Sequence, residues 1–173
     1  MTDPTDTLRQ RVLVVGLGSP DRGDDAVGPA VARVVAARMP TVTVIDHEDP
    51  TALLDLWTGH GTVVVIDAVR SGARAGTVHW VETGRSGPPV STRAWTHSGP
   101  GGTHAVGLCE MVELGRALGR LPARLVVVGV EAGSFEHGAP LTPRVASAVP
   151  VAAARVCGAV AAGEREEGSD VSR

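Results

Sequence analysis

Two adjacent carboxylates stand where a predicted strand turns into a predicted helix. Residues 16–28 read GLGSPDRGDDAVG, so Asp24 and Asp25 come just before the helix. One carboxylate at this place is typical of a helix cap, and Asp25 is the simpler candidate because the helix has to begin near residue 26. The other carboxylate is then in excess, which indicates a chemical role for the pair.

A third carboxylate, Asp67, follows the apolar run VVVI of residues 63–66. Its ordinary role at the end of a strand is to cap a loop. If the strand order begins 2-1-3, however, the loops after Gly16 and Ile66 open onto one crevice, which is where such sheets bind ligands. Asp25 and Asp67 are then expected to face the same crevice.

An imidazole is the third element of the expected site. Among six histidines, His104 stands at the start of a predicted helix and follows a glycine-rich stretch, and His97 is the alternative. Two carboxylates and one imidazole predict a divalent-metal site with positions open for water or substrate. The histidines expected to be structural or solvated are His47, His60 and His137.

Composition excludes several other chemistries. The 16 basic residues are all Arg, which excludes a lysine Schiff base and a Walker-type phosphate loop. A dinucleotide fingerprint is disfavoured because Asp21 stands where the third glycine is needed, and an acidic loop repels a pyrophosphate. A small nucleotide-binding domain is therefore a minor alternative. The HExxH and GxSxG motifs are absent.

Charge and hydropathy indicate a cytoplasmic protein. The net charge is −3, with no basic cluster for nucleic acid and no basic amphipathic segment for a membrane. The apolar runs are far shorter than the roughly 18 residues of a membrane span, and residues 1–6 do not look like a signal peptide. Cys109 and Cys157 are expected to be reduced thiols. A monomer is the default expectation.

Apolar periodicity predicts alternating strands and helices, and hence an α/β fold. We expect a three-layer structure, with a twisted, mostly parallel sheet of about five strands flanked by helices on both faces. One domain is expected over residues 10–162, with disordered tails at 1–9 and 163–173. The predicted strands are 11–18, 42–46, 62–67, 76–82 (nearer an edge) and 124–130. The predicted helices are 26–38, 51–58, 104–119 and 143 to about 162.

Prolines and aromatic residues refine these predictions. Pro29 fits only in the first turn of its helix, Thr142 is a good N-cap before Pro143, and Pro150 predicts a kink or a break. With one Phe and no Tyr, the core has to be filled by Val, Ala, Leu and Ile.

Four motifs together resemble those of the hydrogenase maturation endopeptidases. They are GxGxxxxxDDxxG after the first strand, IDA after the third, HxxGL from His104, and GVExxSFExGxxLTP from Gly129. The match runs in order over about residues 11–160. The resemblance implies a protease that removes the C-terminal extension of a nickel-iron hydrogenase large-subunit precursor after nickel insertion.

The resemblance also implies roles for individual residues. Asp25, Asp67 and His104 match the positions that contact nickel, which is expected to be carried by the substrate, with no organic cofactor. Either the metal polarises the scissile carbonyl or activates water, or the carboxylates act as general base and acid while nickel positions the substrate. A checkpoint protein that binds the nickel-loaded precursor without cutting it is the alternative.

Some positions depart from the family pattern or lie outside its metal site. Ser19 stands where members often have Asn, and Asp25 stands where some have Glu. The late motif is matched by Glu131, Ser134, Phe135 and Glu136, for which a structural role is expected. Phe135 is expected to pack into the core.

Overall fold

Strands and helices alternate along the part of the chain described by the structure, a computed structural model covering residues 12–90 and 107–170. The strands are β1 (Val12–Leu17), β2 (Thr43–His47), β3 (Thr62–Val69), β4 (Val78–Thr83) and β5 (Arg124–Glu131). The helices are α1 (Val27–Arg38), α2 (Leu53–Leu56), α3 (Leu108–Ala117) and α4 (Pro143–Asp170). Short 3-10 turns over Gly23–Ala26 and Pro50–Ala52 precede α1 and α2.

The five strands form one sheet in the order β2-β1-β3-β5-β4. The pairings among β2, β1, β3 and β5 are parallel, and β4 pairs antiparallel with β5 at the edge. The predicted α/β fold with a mostly parallel sheet is therefore confirmed. The predicted neighbourhood of β1 and β3 is confirmed too, since Gly16 is in register with Ile66.

Helices cover both faces of the sheet, as predicted. On one face, α1 and α4 pack over Val14, Val64 and Ile66. On the other face, α2 and α3 pack over Val15 and Val65 and the neighbouring apolar residues. The core consists mainly of Val, Leu and Ala, with Trp57 as its largest fully buried side chain.

The start of α1 lies directly against the carboxyl ends of β1 and β3. A side chain at Gly28 would run into the carbonyl oxygens of Leu17 and Ile66, and one at Gly16 would lie 2.6 Å from the Gly28 carbonyl oxygen. Pro29 is in the first turn of α1, as predicted. Gly16 and Gly28 thus allow α1 to begin over the carboxyl end of the sheet, where the site is expected.

Helix α4 begins as predicted but ends later. It starts at Pro143, and the Ala146 amide donates to the Thr142 carbonyl oxygen at 2.8 Å. The predicted break at Pro150 is wrong: the helix continues, and Pro150 lies on its exposed face, where water can bind the carbonyl that loses its helical partner. Good helix formers at 164–167 carry α4 to Asp170, beyond the predicted end at 162.

The structure describes most of one predicted tail and none of the other. Residues 163–170, assigned to the C-terminal tail, are part of α4. The N-terminal tail, 1–9, lies outside the described residues.

Part of α4 has the length and composition of a membrane span. Pro143–Ala162 has a mean hydropathy of 1.7 over its most apolar window, although no single apolar run is long. One side of this stretch, including Val145, Ala152 and Val156, is buried in the core beside α1 and the sheet. These contacts place one face of α4 in the core, with 33% of the apolar window buried.

We expect Gly28→Ala to destabilise the fold by at least about 2 kcal/mol, because the added methyl overpacks the junction of α1 with β1 and β3. Gly158→Ala is the matched control: nothing lies within 4 Å of its added methyl. Since Ala is the better helix former, the control should gain about 0.5–1 kcal/mol. Urea denaturation of both variants measures the difference, and equal stability would contradict the close approach.

Candidate functional site

The loop after β1 bends back so that Asp25 lies beside Ser19. Gly18 has a φ of 126° and donates to the His47 carbonyl oxygen at 3.0 Å, which ties the loop to the end of β2. A side chain at Gly18 would collide with the Asp25 carbonyl. The Ser19 amide donates to Asp25 Oδ2 at 2.9 Å, and Asp25 is 8% exposed. Glycine at position 18 is therefore a condition for placing this carboxylate.

The structure corrects which of the two adjacent carboxylates has the anchoring role. Asp25 does not cap α1: the residue before the helix is Ala26, with no side-chain cap. Asp24 is fully buried and accepts backbone hydrogen bonds from the loop after β5 and the start of α4 instead. Sequence position alone favoured Asp25 because it is nearer the helix, but the donors that bind Asp24 are distant in sequence.

Asp67 lies within β3, where that strand extends past its pairing with β1. The prediction ended the strand here, but pairing with β5 continues it to Val69. By strand alternation Asp67 shares the α3 side of the sheet with Val65 and Val69. Its Oδ1 accepts from the Ala68 amide at 2.8 Å, and only 6% of the residue is exposed.

Burial and a like charge favour the neutral form of Asp67. Desolvation raises the pKa of Asp67 well above its ordinary value, and the charge of Asp25 raises it further, against the opposing hydrogen bond from Ala68. The charges of Asp25 and Asp67 thus interact, which agrees with the expectation that both residues face one crevice. Such a pair favours either a retained proton or a bound cation.

The third predicted ligand is not tested by the structure. His104 and its alternative His97 lie outside the described residues. The helix predicted from 104 begins only at Leu108, after a Gly107 with extended backbone angles. Within residues 12–90 and 107–170, no three side chains of His, Cys, Asp or Glu are grouped so as to hold a metal ion. A cation at Asp25 and Asp67 therefore needs further ligands from elsewhere.

Cys109, the second residue of α3, borders the pair. Burial raises the pKa of the Cys109 thiol to about 11, with further contributions from Glu110, Asp67 and Glu113. The thiol is therefore protonated at neutral pH and is not activated as a nucleophile. Cys109 and Cys157 are both free, as the predicted reduced thiols require.

A second anchoring carboxylate, the buried Glu131 at the end of β5, holds the loop that follows β3. It accepts hydrogen bonds from the Ser71 amide and hydroxyl, from the Gly72 amide and from His79 Nε2, at 2.7–3.1 Å. Burial acts to raise the pKa of Glu131, but the bonds from Ser71, His79 and Gly72 together lower it. The signal in the sequence was an acid at the end of an apolar strand, but its partners were not foreseen.

Phe135 is not the core residue that was predicted. It is only partly buried at the margin of the core, and the Arg70 guanidinium carbon lies 4.7 Å from its ring centroid. Backbone amides of its loop, between β5 and α4, are bound by the buried Asp24. The ring therefore forms a cation–π contact at the end of the sheet.

Comparisons with known proteins agree with this fold. A family model described as hydrogenase maturation protease, HycI, matches residues 27–159. The hydrogenase maturating endopeptidase HybD from Escherichia coli is 24% identical over 91% of this chain and 94% of its own, with a TM-score of 0.64. HybD from Thermococcus kodakarensis is 22% identical over 84% and 96%, with a TM-score of 0.63. The search of curated proteins gave no match.

We expect Asp67→Asn to stabilise the protein at neutral pH. Because the pKa of Asp67 is raised in the folded protein, keeping this carboxyl buried lowers stability at pH values where it would ionise. Below its ordinary pKa of about 3.9 the carboxyl is protonated in the folded and unfolded states alike, and burial then has no such cost. The gain should be about 1 kcal/mol or more at pH 8 and should vanish near pH 3. Denaturant titrations across pH measure it, with the exposed Asp46→Asn as control. A loss of stability at pH 8 would contradict the pKa direction.

Glu131→Gln should have the opposite effect. A lowered pKa means that the ionised Glu131 contributes stability above its ordinary value of about 4.3, and that this contribution is lost as the pH falls. The variant should lose about 1–3 kcal/mol at pH 7 and progressively less toward pH 3. The same titrations test this, and a pH-independent loss would indicate a packing effect instead.

Proposed function

The chain belongs to the hydrogenase maturation protease family, and on that premise we propose that Asp25 and Asp67 receive the nickel of a hydrogenase large-subunit precursor for cleavage of its C-terminal extension. The activity is that of a peptidase that processes the large-subunit precursor of a hydrogenase. The roles of the two carboxylates and of nickel are our proposal.

The buried carboxylate pair is the observation that carries the proposal. Asp25 comes from the loop after β1 and Asp67 from β3, and their interaction raises the pKa of Asp67. A divalent cation compensates both charges and displaces the proton favoured at Asp67 in its absence. The site is therefore suited to a precursor that already contains the metal.

Each residue then has a definite task. Asp25, fixed by the Ser19 amide, and Asp67, fixed in β3, bind nickel and so align the C-terminal segment of the precursor. His104 is the proposed third contact, with His97 as the alternative. Bound nickel would either polarise the scissile carbonyl for attack by water, or position the substrate while the two carboxylates act as general base and acid. Nickel is thus part of the substrate, and no organic cofactor is needed.

The other functions considered have less support. The glycines of the loop after β1 are in contact with backbone of the protein itself, and Asp24 and Asp25 occupy the turn before α1, so a nucleotide phosphate has no obvious place there. A checkpoint protein without protease activity would use the same carboxylates. It differs only in leaving the precursor intact.

We also propose a cytoplasmic monomer that binds neither nucleic acid nor membranes. The formal net charge of −3 without a basic cluster and the packing of α4 within the core support this proposal.

Asp25→Asn and Asp67→Asn should each abolish processing, because either substitution removes a charged ligand of nickel. Asp46→Asn is the matched control, since Asp46 lies at the same edge of the sheet with an exposed side chain, 3.9 Å from Arg33. The measurement is intact mass spectrometry of the precursor, loaded with nickel or metal-free, after incubation with each variant. His104→Ala and His97→Ala in the same assay identify the third contact.

Loss of a C-terminal fragment from the nickel-loaded precursor alone is the expected result with the unmodified protein and with Asp46→Asn. Full processing by both Asp25→Asn and Asp67→Asn would overturn the assignment of the site. A stable nickel-dependent complex without a change in mass would favour the checkpoint function.

A further inference from the structure

Two loops at the carboxyl end of the sheet are joined by a set of hydrogen bonds. The Gly23 amide donates to the Ala139 carbonyl oxygen at 3.1 Å, and the Gly138 amide donates to the Asp21 carbonyl oxygen at 2.7 Å. The loop after β1, which carries Asp25, is thereby fastened to the loop between β5 and α4.

The Asp24 carboxylate lies at the centre of this junction. Its Oδ2 accepts from the Gly133 amide at 2.7 Å, the Ser134 amide at 3.0 Å and the Thr142 hydroxyl at 2.9 Å. Its Oδ1 accepts from the Thr142 amide at 2.6 Å. With none of its surface exposed, Asp24 cannot touch a substrate. Any influence on the reaction has to pass through its neighbours.

Asp25 is the neighbour that Asp24 controls most directly. Both residues belong to the 3-10 turn Gly23–Ala26, in which the Asp25 amide donates to the Arg22 carbonyl oxygen at 3.1 Å. Since each residue has only two soft backbone dihedrals, holding Asp24 limits the directions in which the adjacent Asp25 can project. The Asp24 amide itself donates to the Ser134 carbonyl oxygen at 2.9 Å, so this residue is held through both backbone and side chain.

We propose that Asp24 is a positioning residue for Asp25: by binding Gly133, Ser134 and Thr142, it sets the turn that holds the Asp25 carboxylate toward Asp67. The loop between β5 and α4, which does not supply either carboxylate, thereby determines the geometry of the pair. The proposal rests on the proposed function only where it concerns processing of the precursor.

The first test needs no precursor. Asp24→Asn retains the shape of the side chain but places an NH2 group against donors, so the junction should open. Amide hydrogen exchange should accelerate at the three donors, Gly133, Ser134 and Thr142. The decisive readout is Ser19, whose amide binds Asp25 and not Asp24. Its exchange should accelerate about tenfold, because Asp25 moves when the junction opens. The Val14 amide in β1 reports global opening. Unchanged exchange at Ser19, with faster exchange at the three donors, would overturn the proposal.

A milder pair of variants serves if Asp24→Asn does not fold. Thr142→Val removes one donor to Asp24, and Thr142→Ser keeps that hydroxyl. Ser147→Ala is the control, because its hydroxyl binds only the Pro143 carbonyl oxygen one turn into α4. Ser19 exchange should rise in the Val variant, return to normal in the Ser variant and stay unchanged in the control. A rise of the same size in the Ser variant would contradict the proposal.

The second test measures processing of nickel-loaded precursor. Asp24→Asn should lower the rate at saturating precursor by up to about 10²-fold with little change in KM, as expected for a misplaced reacting group. A change in KM alone would contradict positioning. If Asp25→Asn itself leaves processing intact, the proposed function fails, whereas the Ser19 exchange result still decides whether Asp24 positions Asp25.

Discussion

A buried carboxylate must either collect hydrogen-bond donors or shift toward its neutral form, and the end of this sheet is organised by that constraint. Asp24 and Glu131 are surrounded by donors from neighbouring loops, so they hold those loops in place. At Asp67 the hydrogen bond from the Ala68 amide does not offset burial and the charge of Asp25, so the pKa of Asp67 rises.

Close backbone packing places Asp25 and Asp67 at the carboxyl end of the sheet. Because Gly16 and Gly28 carry no side chains, α1 begins directly over β1 and β3. The turn before α1 therefore lies above the extension of β3 that carries Asp67. The glycines of the first loop thus serve to assemble the protein and do not form a cradle for phosphate.

The strand pattern and strand order were predictable because apolar runs and carboxyl-edge geometry are local or general properties. The juxtaposition of Asp25 and Asp67 followed from them. The division of roles between Asp24 and Asp25 was not predictable, because it depends on amides more than a hundred positions away. For the same reason the partners of Glu131 were not foreseen, and the short loop around Phe135 did not reveal that its ring would pack only at the margin of the core.

The hydrogen bonds of Asp24 join parts of the chain that are synthesised at different times. Its partners lie 109 to 118 positions later, so the donors do not exist while only the first half of the chain has left the ribosome. Until β5 and the start of α4 are synthesised, the Asp24 carboxylate in the turn before α1 lacks its donors on Gly133, Ser134 and Thr142. A chain that stops before Thr142 therefore cannot complete the junction between the turn before α1 and the start of α4.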